Sequence, residues 1–143
     1  MQLGPILLID DDTDDKDVFL DILKELQVPN PVIWFQSCDD AFKYLKETTE
    51  QPFIIFCDLN LPGIPGIECK RRIDEDKELR KKSIPFVFSS TTTDQKTVNE
   101  AYTQMTVQGF FQKPNSYTEH KELLKLIMDY WDRCRHPNSN KNV

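Results

Sequence analysis

The sequence predicts a doubly wound α/β domain, in which a mostly parallel five-stranded sheet is covered by helices on both faces. The chain has 143 residues, 38% of them hydrophobic and 29% charged, which is the size and composition of one folded globular domain. Short apolar runs alternate with segments of helical spacing, and this alternation is typical of right-handed βαβ crossovers. The apolar runs are almost continuous, as expected for strands buried on both faces.

The five predicted strands are short runs rich in β-branched and aromatic residues, each bounded by polar or turn residues. In chain order they are ILLI (6–9), VIWF (32–35), FIIFC (53–57), FVF (86–88) and FF (110–111). Ligand sites in such folds lie beyond the carboxyl ends of the strands, so the residues that follow each run are the functional candidates.

Five predicted helices lie between and after these runs. One apolar face of the first helix carries Val18, Phe19, Ile22, Leu23 and Leu26, and one of the last carries Leu123, Leu124, Ile127, Met128 and Trp131. A further helix covers residues 41–45, with Ser37 as its candidate N-cap. More dilute helical patterns follow Gly66 and Asp94, and the basic run KELRKK (77–82) is interpreted as a solvated helix end.

The charge and cysteine pattern exclude several classes of function. A net charge of −6 argues against general affinity for nucleic acid or an anionic membrane. No stretch approaches the roughly 20 apolar residues that span a bilayer, and the N-terminus lacks the features of an export signal. Without any C-x-x-C pair, Cys38, Cys57, Cys69 and Cys134 are interpreted as buried reduced thiols. We therefore expect a cytoplasmic protein.

The segment DDDTDD, directly after the first predicted strand, concentrates five acidic side chains. Asp14 and Asp15 are interpreted as complementing the dipole of the first helix. Asp10 and Asp11 leave the end of the first strand and Asp58 leaves the third, so these carboxylates converge at one edge. At about 4 Å and an effective dielectric near 20, each like-charge pair costs roughly 4 kcal/mol, so a divalent cation is expected. Mg²⁺ is favoured because it binds a few carboxylates together with waters and phosphate oxygens.

Two further strand ends carry side chains that suit a phosphoryl group. Ser89, Ser90 and Thr91 supply hydroxyls after the fourth run, and Lys113 supplies an ammonium after the fifth. Phosphoryl transfer needs metal-binding carboxylates, a nucleophile and donors for the phosphoryl oxygens, and an aspartate can carry the group covalently. Together, these strand ends predict phosphoryl transfer to an aspartate.

With these residues in place, the sequence resembles the receiver domain of bacterial two-component response regulators, especially the single-domain chemotaxis type. The resemblance extends over residues 2–135 and leaves 136–143 as a polar C-terminal tail, with no output domain. It implies a flavodoxin-like strand order, 2-1-3-4-5.

The resemblance also implies roles for the residues around the acidic segment. LLIDDD matches the family's acidic motif, which makes Asp10 and Asp11 the pair that positions Mg²⁺ or Mn²⁺. FCDLNLPGIPG matches the phosphoacceptor loop, which makes Asp58 both the phosphorylated residue and a metal ligand. Asn60 would give its backbone carbonyl to the metal.

At the other two strand ends, IPFVFSS and FFQKP match the family's hydroxyl and lysine motifs. They imply that Ser90 and Lys113 bind the phosphoryl group and that Phe110 is the aromatic switch residue. Ser90 replaces the commoner threonine but keeps the hydroxyl. Thr106 and Val107 replace a small-residue pair, and Phe110 lacks a tyrosine hydroxyl, so any switch there works by ring burial alone.

The implied function is phosphorelay signal transduction. A sensor histidine kinase or a histidine phosphotransfer protein would supply the phosphoryl group to Asp58. The protein would catalyse only its own phosphorylation and dephosphorylation, so we do not expect an enzyme with other substrates. The signal would leave through protein contacts on the face formed by the helix after Asp94, the fifth strand and the last helix, towards a target that the sequence does not name. Asn60 and Thr92 occupy positions that tune the phosphoryl lifetime in the family.

Two alternatives stay open at this point. The chain could be a degenerate receiver that acts as a constitutive interaction module, without phosphorylation. An acidic-site phosphohydrolase would instead turn over added phosphate esters. A flavodoxin-like cofactor binder is excluded, because it would need a phosphate-binding loop where DDDTDD repels phosphate. His120 and His136 are interpreted as a helix-start residue and a tail residue rather than phosphorelay histidines.

Overall fold

A computed structural model describes residues 4–91 and 94–137, which form a five-stranded parallel sheet of order β2-β1-β3-β4-β5 with six helices. The strands are β1 (Ile6–Ile9), β2 (Val32–Phe35), β3 (Ile54–Cys57), β4 (Phe86–Ser90) and β5 (Gly109–Gln112). The helices are α1 (Thr13–Glu25), α2 (Cys38–Glu47), α3 (Gly66–Glu75), α4 (Lys77–Lys82), α5 (Gln95–Gln104) and α6 (Tyr117–Arg133). The predicted fold class and strand order are confirmed.

Side chains that alternate along the strands divide the core into two layers. Leu7 and Ile9 of β1 pack with α2, α3, α4 and α5, whereas Ile6 and Leu8 pack with α1 and α6. The central strands β1 and β3 contribute side chains to both layers and are buried on both faces. The predicted arrangement of helices on both faces is therefore confirmed.

Side-chain caps determine where the helices begin. Ser37 accepts a hydrogen bond from the backbone N–H of Asp40 and caps α2, as predicted. Asp76 caps α4 by accepting from two backbone N–H groups, and its extended backbone separates α4 from α3. The KELRKK run is therefore a six-residue helix of its own rather than the end of the preceding one.

The prediction of four reduced thiols is wrong for one pair. Cys38 at the start of α2 and Cys69 in α3 form a disulfide, with their Cα atoms 5.6 Å apart. The parallel topology places the first turns of these two helices side by side, which a spacing of 31 residues does not reveal. Cys57 and Cys134 are free thiols. Within the described residues, no helix is long and apolar enough to span a membrane.

Candidate functional site

The strand register places the key residues at one edge of the sheet. Ile9 pairs with Cys57, so Asp10 and Asp58, which follow them, leave adjacent strands at the same level. The backbone N–H of Asp58 donates to the carbonyl of Ile9 at 2.9 Å, which extends the ladder by one residue. On the other side of β3, the N–H of Lys113 donates to the carbonyl of Ser90 at 2.9 Å. The predicted convergence of these strand ends is observed.

The ammonium of Lys113 lies at the centre of this edge. It contacts carboxylate oxygens of Asp15 at 2.7 Å, Asp10 at 2.9 Å and Asp58 at 3.1 Å. Burial disfavours a charged ammonium, but the hydrogen bonds to Asp15 and Asp10 outweigh it, so the pKa of Lys113 is raised. Lys113 is thus a charged counter-ion for three acids from three segments of the chain.

Asp10 is the most buried of these acids, with 3% of its surface exposed. Burial raises the pKa of its carboxyl, against the opposing effects of the Asp12 N–H and Lys113. Its Oδ1 accepts from the N–H of Asp12 at 3.0 Å, and its backbone carbonyl accepts from the indole Nε1–H of Trp34 at 2.7 Å. Trp34, which the sequence did not single out, therefore holds the backbone of Asp10.

Asp58 is positioned by the loop that follows β3. Its Oδ1 accepts from the backbone N–H of Asn60 at 3.1 Å, and its side chain keeps 11% exposure, so it stays reachable from solvent. The loop returns so closely that a Cβ atom on Gly66 would collide with the carbonyl oxygen of Asp58. Only glycine fits this close backbone approach.

The two serines at the end of β4 point to opposite sides of the sheet. The hydroxyl of the fully buried Ser90 accepts from the amide Nδ2 of Asn60 at 3.4 Å. Ser89 instead lines the cavity that contains Asp58 and Lys113. Thr91 is exposed, and Thr92 lies outside the described residues. Ser90, the predicted hydroxyl residue, is therefore hydrogen-bonded to the loop that follows Asp58.

The acids that the structure brings together include one that the sequence did not assign to the site. Asp10, Asp15 and Asp58 bring carboxylate oxygens within 4.8 Å of one another, whereas Asp11 is exposed and outside this group. Asp15 was predicted to act only on the helix dipole. Its position four residues before Phe19, which is buried in the core, could have placed it on the sheet-facing side of α1.

The donor set suits a hard divalent cation. All three candidate ligands are carboxylates, and oxygen ligands are those that Mg²⁺ and Mn²⁺ prefer. Their repulsion is offset in this structure by Lys113, which shows that the site requires positive charge. The residues present therefore fit a bound divalent metal.

The structure also places three other residues that the sequence singled out. The ring of Phe110 is partly buried and packs against Phe88, with the ring centroids 5.5 Å apart. His120 lies in the first turn of α6, at the helix start as predicted, and lines the cavity that contains Asp15 and Lys113, where burial lowers its pKa. His136, predicted to lie in the tail, is buried with its ring stacked on Phe53.

Comparison with known proteins gives consistent matches. The family model of the response regulator receiver domain matches residues 6–127. Chemotaxis protein CheY-3 of Vibrio cholerae serotype O1 is 28% identical over 125 residues, covering 87% of this chain and 91% of that protein. Response regulator Rcp1 of Synechocystis is 24% identical over 131 residues, covering 88% of this chain and 87% of that protein.

Solved structures match over almost the whole fold. The phosphorylated cyanobacterial phytochrome response regulator RcpA has a TM-score of 0.84 and 25% identity, covering 94% of this chain and 99% of that one. The Mn²⁺-bound form of Rcp1 has a TM-score of 0.82 and 23% identity, covering 94% and 99%, respectively. At that level of identity, the second match concerns the fold.

Proposed function

Since the chain belongs to the response regulator receiver domain family and hence to phosphorelay signalling, we propose that it accepts a phosphoryl group on Asp58. The observation that carries the proposal is the contact of Lys113 with both Asp58 and Asp10. This contact joins the ends of β1, β3 and β5 around one reachable carboxylate. A sensor histidine kinase or a histidine phosphotransfer protein is the proposed donor.

In the proposed reaction, a carboxylate oxygen of Asp58 attacks phosphorus while the P–N bond of the donor's phosphohistidine breaks. The bond electrons return to the imidazole nitrogen, and Asp58 becomes an acyl phosphate. Lys113 already donates to Asp58 and would transfer this hydrogen bond to a phosphoryl oxygen. Hydrolysis reverses the modification: water attacks phosphorus, the P–O bond to the Asp58 carboxylate breaks, and inorganic phosphate leaves. The protein itself would promote both steps.

Asp10, Asp11, Asp58 and the backbone carbonyl of Asn60 are the residues proposed to hold Mg²⁺ or Mn²⁺. When bound, the cation would neutralise the acids and the developing charge on the phosphoryl oxygens. Asp10 and Asp58 already lie together, and the exposed Asp11 is next to Asp10 in the chain. The observed positions therefore support the metal-binding role of Asp10 and Asp58 most directly.

Phosphorylation would be transmitted through Ser90 and Phe110. Ser90 would exchange its hydrogen bond with Asn60 for one to the phosphoryl group. Phe110, which is only partly buried, would then turn further inward and change the surface formed by α5, β5 and α6. We propose that this surface contacts a downstream protein.

The first test is the intact mass of the protein after incubation with acetyl phosphate, with and without Mg²⁺. We expect a Mg²⁺-dependent gain of one phosphoryl group, which Asp58→Asn abolishes. Asp129→Asn is the matched control, because Asp129 is an exposed acid of α6 that pairs with Lys125. No mass gain by the folded parent protein would refute the phosphoacceptor role and favour a constitutive interaction module.

A further inference from the structure

Asp15 makes the shortest of the three contacts to Lys113 but has no part in the proposed chemistry. A lysine ammonium has three N–H donors, and here three carboxylates take them. Asp10 and Asp58 are assigned to the metal and the phosphoryl group. Asp15 lies on the first turn of α1, with a side chain that is 41% exposed.

We propose that Asp15 is a positioning residue, which keeps the Lys113 ammonium beside Asp58 when a divalent cation takes up Asp10 and Asp58. The inference rests on the proposed function, because it gives Lys113 its use in phosphoryl transfer. Asp15 would then hold Lys113 in place, in addition to its favourable interaction with the dipole of α1.

The argument follows from the competition between two cations for the same oxygens. A divalent cation on Asp10 and Asp58 neutralises the acids that now hold Lys113 and repels its ammonium. In the part of the chain that the structure describes, the only other carboxylate within ion-pair distance of Lys113 is that of Asp15. Without Asp15, the ammonium would therefore lose its remaining anionic partner and move into solvent.

Asp14 provides a matched control for this role. It also lies in the first turn of α1, so it interacts with the same helix dipole. Its side chain is exposed, and it forms no ion pair with Lys113. Asp14→Asn and Asp15→Asn thus remove the same charge from neighbouring positions, but only the second removes a contact to Lys113.

The first experiment measures how fast Lys113 is acetylated by an N-hydroxysuccinimide ester in excess Mg²⁺, from peptide masses. Acetylation requires the neutral amine, so an ammonium held by a carboxylate reacts slowly. We expect Asp15→Asn to speed the modification of Lys113 about fivefold to tenfold and Asp14→Asn to change it less than about twofold. An unchanged rate in folded Asp15→Asn would overturn the inference, even if the protein accepts a phosphoryl group.

The second experiment measures phosphorylation by acetyl phosphate at saturating Mg²⁺ in two backgrounds. Asp15→Asn should slow the reaction about fivefold in the parent. In Lys113→Met it should cause no slowing, because the loss of a negative charge cannot hinder an anionic donor. Equal slowing in both backgrounds would show that Asp15 acts directly, as a metal ligand, and would overturn the positioning role. If the parent takes up no phosphoryl group, the proposed function fails and the acetylation rates still decide this inference.

Discussion

The environment of Asp10 shows, at the scale of single residues, why this carboxylate is held from two sides. Its carboxyl is buried and charged only at a cost, which Lys113 offsets. Its backbone carbonyl is fixed separately by the indole of Trp34, over whose ring the ammonium of Lys16 lies at 4.7 Å. Side chain and main chain are therefore restrained by different partners, which suits the metal-binding role proposed for Asp10.

Trp34→Phe tests the second restraint, because it keeps an aromatic ring and removes the N–H donor. We expect a loss of about 1 kcal/mol in unfolding free energy and Mg²⁺ binding weakened about twofold to fivefold. Urea unfolding and calorimetric Mg²⁺ titration measure the two effects. Trp131→Phe, at a half-buried tryptophan that packs on Tyr130, is the control. If both variants bound Mg²⁺ as the parent does, the hydrogen bond to Asp10 would not matter for the site.

At the scale of elements, the connection from β3 to α3 depends on Gly66. Gly66→Ala would place a Cβ against the carbonyl of Asp58 and 2.9 Å from the Cα of Leu59. We expect it to lower the unfolding free energy by about 2 kcal/mol and to slow phosphorylation of Asp58, because the loop must move outward. Gly63→Asn is the control in the same loop, at a position with φ of +73° and no atom in the way. Asparagine tolerates that backbone, so its cost should stay below about 1 kcal/mol.

A second connection between elements joins α3 to the segment before β5. The ammonium of Lys70 contacts Asp74 at 2.8 Å and the hydroxyl of Thr106 at 3.1 Å. Asp74 also accepts from the backbone N–H of Thr106 at 3.0 Å. This network uses Thr106, one of the two residues that depart from the family's small pair, and it anchors the chain four residues before Phe110.

The pair Lys70–Asp74 is buried, whereas Lys125–Asp129 has the same i,i+4 spacing and is exposed. Removing one partner of a buried pair leaves an uncompensated charge, so Asp74→Asn should cost about 3 kcal/mol of unfolding free energy. Asp129→Asn should change it by less than about 0.5 kcal/mol. Urea unfolding of both variants at neutral pH provides the comparison, and similar losses would contradict the assigned burial.

The same network predicts a pH dependence. Burial would raise the pKa of Asp74, but hydrogen bonds from Lys70 and Thr106 outweigh it and lower the pKa below its ordinary value of 3.8. A lowered carboxyl pKa adds stability above the unfolded-state value, and this stability is lost as the pH falls through the folded-state value. The difference between parent and Asp74→Asn should therefore shrink from about pH 5 to about pH 2. A constant difference over this range would show that Asp74 does not titrate with the network.

At the scale of the whole molecule, the sequence pattern predicted the alternation of strands and helices, the resemblance to receiver domains implied the strand order, and the strand ends predicted where the candidate site lies. Asp10, Asp58 and Lys113 directly follow β1, β3 and β5, and parallel strands bring such positions together. The contribution of Asp15 and the Cys38–Cys69 pair were not predicted, since they depend on which side of a helix faces its neighbour. The side of a helix that faces its neighbour is determined by packing between elements that are distant in sequence. Residue spacing alone does not reveal this packing.

The balance of charge at the site gives a prediction for the stability of the whole protein. Lys113→Met leaves Asp10, Asp15 and Asp58 without their ammonium. In the absence of divalent cations, the unfolding free energy of the variant should therefore be about 3 kcal/mol lower than that of the parent. Mg²⁺ should stabilise both proteins, by about 2.7 kcal/mol at a concentration of 100 times its Kd. At one fixed Mg²⁺ concentration, however, the variant should gain more than the parent, because no ammonium competes for its carboxylates. Urea unfolding measures the gain in unfolding free energy that Mg²⁺ gives to each protein. NaCl at matched ionic strength is the control. A Mg²⁺ increment in Lys113→Met that does not exceed that of the parent would mean that lysine and metal do not compete for the carboxylates.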